Sequence, residues 1–284
     1  MRFWAALAVL VFVAAMAFVL RPGFGSYERW FAPKPNLWSK WQAHDPTATG
    51  NLDHSAWSEF LKRHLVLNDE GVALITYGLV TPVERGRLDE YILRLTKTPI
   101  EAFSRDVQLA YWINLYNALT VQVVLDHHPV EGIRDIKISP GIFGIGPWDK
   151  PLITIGGDAL TLNDIEHRIL RPIWGDPRLH YVLNCASVGC PNLGSAVYSA
   201  DTIEEQLDAA ARRYVNSERG VRLANGKLSV SKIYDWFIDD FGGTEQTVLM
   251  HIAIYADPDL KRQLASIGQI SGQHYDWALN DASQ

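Results

Sequence analysis

The chain is poor in cysteine, with 2 among 284 residues, Cys185 and Cys190. A disulfide framework distributed through the fold is therefore excluded. Basic charge is also scarce: Lys and Arg total 26 against 32 Asp and Glu, a formal net charge of -6. With no basic stripe carrying interleaved aromatics, electrostatic binding to nucleic acid is excluded as a function class. There is no internal repeat and no low-complexity tract, which removes solenoids and disordered arrays. No Gly-rich phosphate or dinucleotide fingerprint is present, so no cofactor is expected.

What is there is ordinary globular material, 48% hydrophobic and 20% charged, enough for a full core in one large domain or two small ones. Ten tryptophans are many for this length and are expected in the core or lining a groove. The chain is organised around Asp106 to Asp126, DVQLAYWINLYNALTVQVVLD. Apart from its first residues it is apolar nearly all round a helical wheel, which predicts a buried central helix. Asn114 and Asn117 break that apolarity one turn apart on neighbouring parts of one face, with Tyr111 a turn further back. Buried amides must find partners, so they either tie loops to the helix or position a substrate carbonyl.

Phe3 to Leu20 has no charged residue and is flanked by Arg2 and by Arg21-Pro22-Gly23. Such a run rises about 27 Å as a helix, nearly a bilayer core, so residues 1–21 are expected to form a membrane anchor or signal segment. Ala15-Met16-Ala17 permits cleavage after Ala17, which would export the chain. Because the apolar run continues past that point, an uncleaved anchor is expected, with the domain outside the cytoplasm, the bacterial periplasm for a bacterial chain. Residues 22–50 read as a linker interrupted by Pro33, Pro35 and Pro46, its Trp30, Trp38 and Trp41 leaning on the membrane interface or on the domain. Asp45, Thr47, Thr49, Gly50 and Asp53 only superficially suggest a calcium loop, since Ala56 stands where a bidentate Glu is required.

Residues 51–284 are expected to form a single globular domain. Helices are predicted over Asn51 to Leu65, with Asp53 as cap, and from Thr81-Pro82 to Thr96. Ile133 to Ile138 is β-prone, and Leu152 to Leu162 reads as a hairpin around Gly156-Gly157. Asn163 then caps a short helix that carries Glu166 and His167 and ends before Pro172. Tyr181, Leu183 and Cys185 alternate with His180, Val182 and Asn184, which predicts a strand ending at Cys185, followed by a Gly/Pro loop through Cys190. Later come a helix over Ile203 to Val215, a hairpin turning at Asn225-Gly226, a helix capped by Ser231, a helix from Thr244 to Tyr255 and one opened by Pro258. The expected fold class is α+β: a mostly helical domain around the buried central helix, with a small, largely antiparallel sheet whose edge carries Cys185, plus the N-terminal membrane helix.

Taken together, Ala110-Tyr-Trp-Ile-Asn-Leu-Tyr-Asn-Ala118, Leu162-Asn-Asp-Ile-Glu-His167, Asn184-Cys-Ala-Ser-Val-Gly-Cys-Pro191, Ser231-Lys-Ile and Tyr275-Asp-Trp277 resemble the family called domain of unknown function 547. The resemblance covers about 102–241, with looser flanks. It implies a domain, often in exported bacterial proteins, and no established reaction. One departure is Asn184, where the family is associated with small or apolar residues.

Two functional readings follow from the residues. In the enzyme, a hydrolase or transferase acting on amide or ester bonds, Cys185 is the nucleophile, His167 its base and Glu166 or Asn184 the group orienting the imidazole. Asn114, Asn117, Asn184 and Ser187 are then candidate substrate-binding residues, and the amides of the Gly189 loop or Asn114 and Asn117 candidate oxyanion donors. Glu166 and His167 are adjacent, so an α-helix points them about 100° apart. In the non-catalytic alternative, Cys185 and Cys190 form a structural disulfide in a binding or scaffold module whose aromatic groove takes a peptide or small molecule. A metal site of Cys185, Cys190 and His167 or His180 has wide spacing and no paired-histidine motif, so no metal is expected.

Overall fold

The computed structural model describes residues 24–141 and 144–282. The central helix is present as expected, running Arg105–His127 and buried at every position from Val107 to Val121. Its polar residues are all satisfied: Gln108 Nε2 donates to the carbonyls of Ala43 and Ile100 at 2.8 and 2.9 Å. Thr120 Oγ1 likewise donates to the Tyr116 carbonyl at 2.9 Å. This is the requirement that burial imposes, since an unpaired buried amide costs about 1–3 kcal/mol.

Around it, in chain order, stand α1 (Ser55–His64), the hairpin β1 (Leu65–Leu67) and β2 (Ala73–Ile75), α2 (Pro82–Thr96) and the central helix, α3. Thr81 and Glu84 close a reciprocal cap on α2, and Pro82 occupies its first turn, as the sequence signals predict. The hairpin β3 (Ile153–Ile155) and β4 (Asp158–Leu160) turns at Gly156 and Gly157, both with positive φ. Beyond the site region come α4 (Arg171–Trp174), α5 (Ile203–Val215), β5 (Val221–Ala224), β6 (Lys227–Ser231), α6 (Ile233–Trp236), α7 (Glu245–Tyr255), α8 (Pro258–Leu264) and β7 (Gly272–His274). Among the described residues the strands form two two-stranded antiparallel sheets and a three-stranded one, in which β6 pairs antiparallel with β5 and parallel with β7. The α+β character with small sheets is thus observed.

Four expectations require correction. The N-terminal membrane helix expected over residues 1–21 lies outside the described residues, and among those described no helix is long and apolar enough to cross a membrane. Even α3, the longest of them, spends its apolar surface on the core and carries buried amides along its length. The strand expected to end at Cys185 is instead a 3-10 segment, Pro177–Tyr181, followed by loop. Asp176 initiates it by accepting the Arg178 amide at 2.8 Å, and residues 179–184 are buried without the alternation a strand edge requires. Ile133 to Ile138 is not a strand either, but a 3-10 turn at Ile133–Asp135.

The fourth correction concerns the helix bearing Glu166 and His167. It is a π-helix, Asp164–Leu170, running through Pro172 into α4, and its start is capped by Thr161 and Asp164 rather than by Asn163. The Arg171 amide reaches back to the Glu166 carbonyl, a five-residue step that widens the turn. Pro172 has no N–H to offer, and the carbonyls of His167 and Arg168 accept instead from the amides of Asn36 and Trp38, each at 2.9 Å.

Those bonds hold the chain from Phe24 to Trp38 across the domain. Buried Asp235 accepts the Ser26 amide and hydroxyl, both at 2.7 Å, and the Arg29 guanidinium at 2.7 and 2.5 Å. Glu28 bridges Lys232 at 2.9 Å and the Trp236 indole at 2.9 Å. Trp41 is buried edge-on against Trp112, while Trp30 is 78% exposed.

Candidate functional site

Asn117 is the link between the central helix and the cysteine loop. Its side chain donates to the Val182 carbonyl at 2.9 Å and accepts the Asn184 amide at 2.9 Å. Asn114 clamps Tyr198 in the same way, donating at 2.8 Å and accepting at 3.0 Å. Both amides are consumed in tying backbone to α3, so neither is directed at a ligand. Asn184 continues the chain of ties, donating to the Pro191 carbonyl and accepting the Ala186 amide, each at 2.8 Å. That last bond holds Ala186 at φ +59°, a left-handed conformation uncommon for a residue with a Cβ. The chain turns sharply directly after Cys185 as a result.

The loop is covered by the end of the chain. Val188 and Gly189 donate to the carbonyls of Ala278 and Asp276, each at 2.8 Å. A Cβ on Gly189 would lie 2.6 Å from the Asp276 nitrogen, so the close approach demands glycine there. The Gly189 amide, expected as an oxyanion donor, is thereby occupied. In exchange the contact delivers Tyr275: its hydroxyl lies 3.1 Å from Cys185 Sγ and 3.1 Å from Ser187 Oγ, and Ser187 Oγ is 3.0 Å from the same sulfur. The candidate nucleophile thus forms a triangle with two hydroxyl oxygens.

Cys185 and Cys190 are free thiols, so the structure does not hold the disulfide of the scaffold alternative. The Cys185 amide donates to Cys190 Sγ at 3.0 Å. The adjoining Cys190 thiol, and then the Ser187 and Tyr275 hydroxyls, lower the Cys185 thiol below its ordinary value and outweigh the opposing effect of burial. Burial pushes Cys190 the other way, well above its ordinary value. Of the two thiols, Cys185 is thus the one eased towards ionisation.

Cys185 opens into a cavity of about 480 Å³ that Glu166, His167 and His180 also line. The π-turn explains why Glu166 and His167, adjacent in sequence, both face it: wider turns reduce the angular step between neighbours. The expected Cys185–His167 pair is not formed, however. His167 Nδ1 accepts from Arg171 at 2.9 Å, which leaves the ring proton on Nε2. Burial, opposed by Glu166 and reinforced by Arg171, lowers its pKa to about 4 and keeps the ring neutral. Glu166 lies 3.9 Å from that same Nδ1 and accepts from the Tyr116 hydroxyl at 3.0 Å.

Sequence reasoning missed the more ordered histidine. His180 Nε2 is 2.7 Å from Asp240, its ring stacks on Phe237 at 4.3 Å, and its Nδ1 faces Glu166 at 4.0 Å. Burial raises the Asp240 carboxyl, but the hydrogen bonds it accepts from His180 and from the Arg171 guanidinium, the latter at 2.6 Å, hold it below the usual carboxylate range. The Asp240–His180 pairing spans sixty positions and leaves no sequence signal. Tyr275 had one, the terminal Tyr-Asp-Trp motif, but not a role. Among the described residues, no group of three or more His, Cys, Asp or Glu is arranged to hold a metal ion.

The far wall is aromatic. Trp236, Trp277 and Trp148 line it with Phe237 and Tyr275, and Tyr27 to Pro33 of the N-terminal strap close one side. No curated protein and no solved structure matches this chain. Residues 100–215 match the family model described as "Protein of unknown function, DUF547", a span that contains Asn114, Asn117, Glu166, His167, His180 and both cysteines. The chain is a DUF547 domain-containing protein, and its cavity is completed by the strap and Tyr275 from outside the matched span.

Proposed function

We propose that this cavity is an acyl-transfer site in which Cys185 attacks an amide or ester carbonyl. The observation that carries the proposal is the hydrogen-bonded triangle of Cys185, Ser187 and Tyr275 at the cavity wall, with its lowered thiol. A thiol lowered below its ordinary value yields its thiolate, the strong nucleophile, more readily, and so depends less on an abstracting base. The histidines then serve the leaving group. Sulfur forms a bond to the carbonyl carbon, the carbon–nitrogen or carbon–oxygen bond breaks, and the departing atom takes a proton from the Glu166–His180 pair that Asp240 anchors. Water, or a second nucleophile, then gives a proton back to that pair as its oxygen or nitrogen bonds the thioester carbon, and the carbon–sulfur bond breaks to release the acyl product and the Cys185 thiolate. The His167 Nε2–H and the Tyr275 hydroxyl are the donors available to the oxyanion, in place of the Gly189, Asn114 and Asn117 groups that the fold consumes.

A second reading, a binding module, is favoured by one observation: among the described residues no histidine hydrogen-bonds Cys185. Incubation with p-nitrophenyl esters separates the two. The enzyme gives nitrophenolate release and an acyl adduct on Cys185 by intact mass, both lost in Cys185→Ser. Absence of an adduct with the thiol demonstrably free assigns the cavity to binding alone.

A further inference from the structure

The aromatic wall ends in a cation that pairs with no acid among the described residues. The Tyr275 ring, whose hydroxyl meets Cys185, lies 4.7 Å from Trp277, and the Arg134 guanidinium sits 4.9 Å over Trp277. Arg134 is exposed and lines the cavity. It makes no hydrogen bond or ion pair with any other described residue.

The carboxylates that share the cavity are already engaged. Glu28 holds Lys232 and Trp236, Asp149 accepts from Asn163 at 2.6 Å, and Glu166 accepts from Tyr116. On the outer side Glu131, Asp135 and Lys137 share a shallow depression with Arg134, yet neither acid pairs with it. A guanidinium resting on an indole face is held by the ring and keeps its planar fork of donors free, the geometry that recognises a carboxylate through two parallel hydrogen bonds.

We propose that Arg134, seated on Trp277, recognises a carboxylate on the substrate. The compound acylating Cys185 then carries an acid group at the end remote from the reacting carbonyl, with an apolar or aromatic spacer lying along Trp148, Trp236 and Trp277. This assignment rests on the cysteine-nucleophile reading.

The test compares two thiol probes of equal length, maleimidohexanoic acid and maleimidohexanamide, with labelling of Cys185 located by peptide mass. The acid is expected to react about tenfold faster than the amide in the wild-type chain. In Arg134→Gln the ratio falls to near unity, the amide normalising for any change in access. Equal rates in the wild type, or a ratio that survives Arg134→Gln, overturn the carboxylate subsite. Calorimetry with hexanoate decides the same point without the thiol: heat of binding lost in Arg134→Gln supports the subsite, and no binding or unchanged binding refutes it. Cys185 labelled by neither probe refutes the nucleophile instead, and the calorimetric result still judges Arg134.

Discussion

His167 Nδ1 accepts a hydrogen bond from Arg171 Nη1 at 2.9 Å, and this places the imidazole proton on Nε2. A histidine fixed in that tautomer by a permanent cation donates rather than accepts at the cavity. No Cys185–His167 dyad forms, and in the acyl transfer proposed above thiol activation and proton transfer therefore reside on different groups.

Acid stability follows from the same residue. Burial holds His167 down at about 4 in the folded chain, against an ordinary 6.5. Below 6.5 the unfolded chain binds a proton that the folded chain refuses, so stability is full above that value and falls as the pH drops towards 4. His54 and His251, also held near 4 chiefly by burial, act in the same direction. Each contributes at most about 3 kcal/mol across the window. Urea midpoints should decline from pH 7 to pH 5, and His167→Gln should make the decline shallower. A midpoint independent of pH over that range contradicts the neutral buried imidazole.

Tyr275→Phe removes one of the hydroxyls that stabilise the Cys185 thiolate and leaves the ring against Trp236 and Trp277. The loss of a hydrogen bond to a charged acceptor is worth about 1.5–3 kcal/mol. Alkylation of Cys185 at pH 7 is expected to slow by about tenfold or more, with thermal stability nearly unchanged. Unaltered alkylation would show that Tyr275 only packs.

Asn114→Ala and Asn117→Ala each break a two-bond clamp on α3 and should each cost about 2–6 kcal/mol in chemical denaturation, twice the cost of leaving one buried group unpaired. Their effects on chemistry should differ, because only Asn117 holds the segment leading into Cys185. Slower alkylation is expected for Asn117→Ala alone. Equal slowing in both would mean that the clamps act through global stability.

Gly189→Ala puts a Cβ against the Asp276 backbone and should lever the terminal segment off the cysteine loop. The expected result is an alkylation rate resembling that of Tyr275→Phe, together with increased proteolysis after Ser271. Wild-type behaviour would show that the segment yields without moving Tyr275.

Much of the scaffold was legible in the sequence, and its limits have physical causes. The central helix, the Thr81-Pro82 start and the Gly156-Gly157 hairpin are local signals, and each appears at the expected place. The cysteine loop misled because buried residues on both sides of Leu183 imitate a strand while the Asp176-Pro177 start sets a 3-10 turn. The π-turn was invisible, since it depends on Pro172 and on carbonyls satisfied from Asn36 and Trp38, far away in the chain. Cys185, Glu166 and His167 do line one cavity, but the partners that define their chemistry, Tyr275, Arg171 and the Asp240–His180 pair, are tertiary.

The central claim is that Cys185 is a free thiol prepared as a nucleophile beside a protonated Cys190. Its most direct test is the rate of Cys185 alkylation from pH 5 to 9, read by differential labelling and intact mass on the full chain. The account predicts a single free thiol titrating below the ordinary cysteine value of about 8.5, with Cys190 unlabelled throughout. A Cys185–Cys190 disulfide that resists mild reduction, or a Cys185 that titrates above that value, would contradict it.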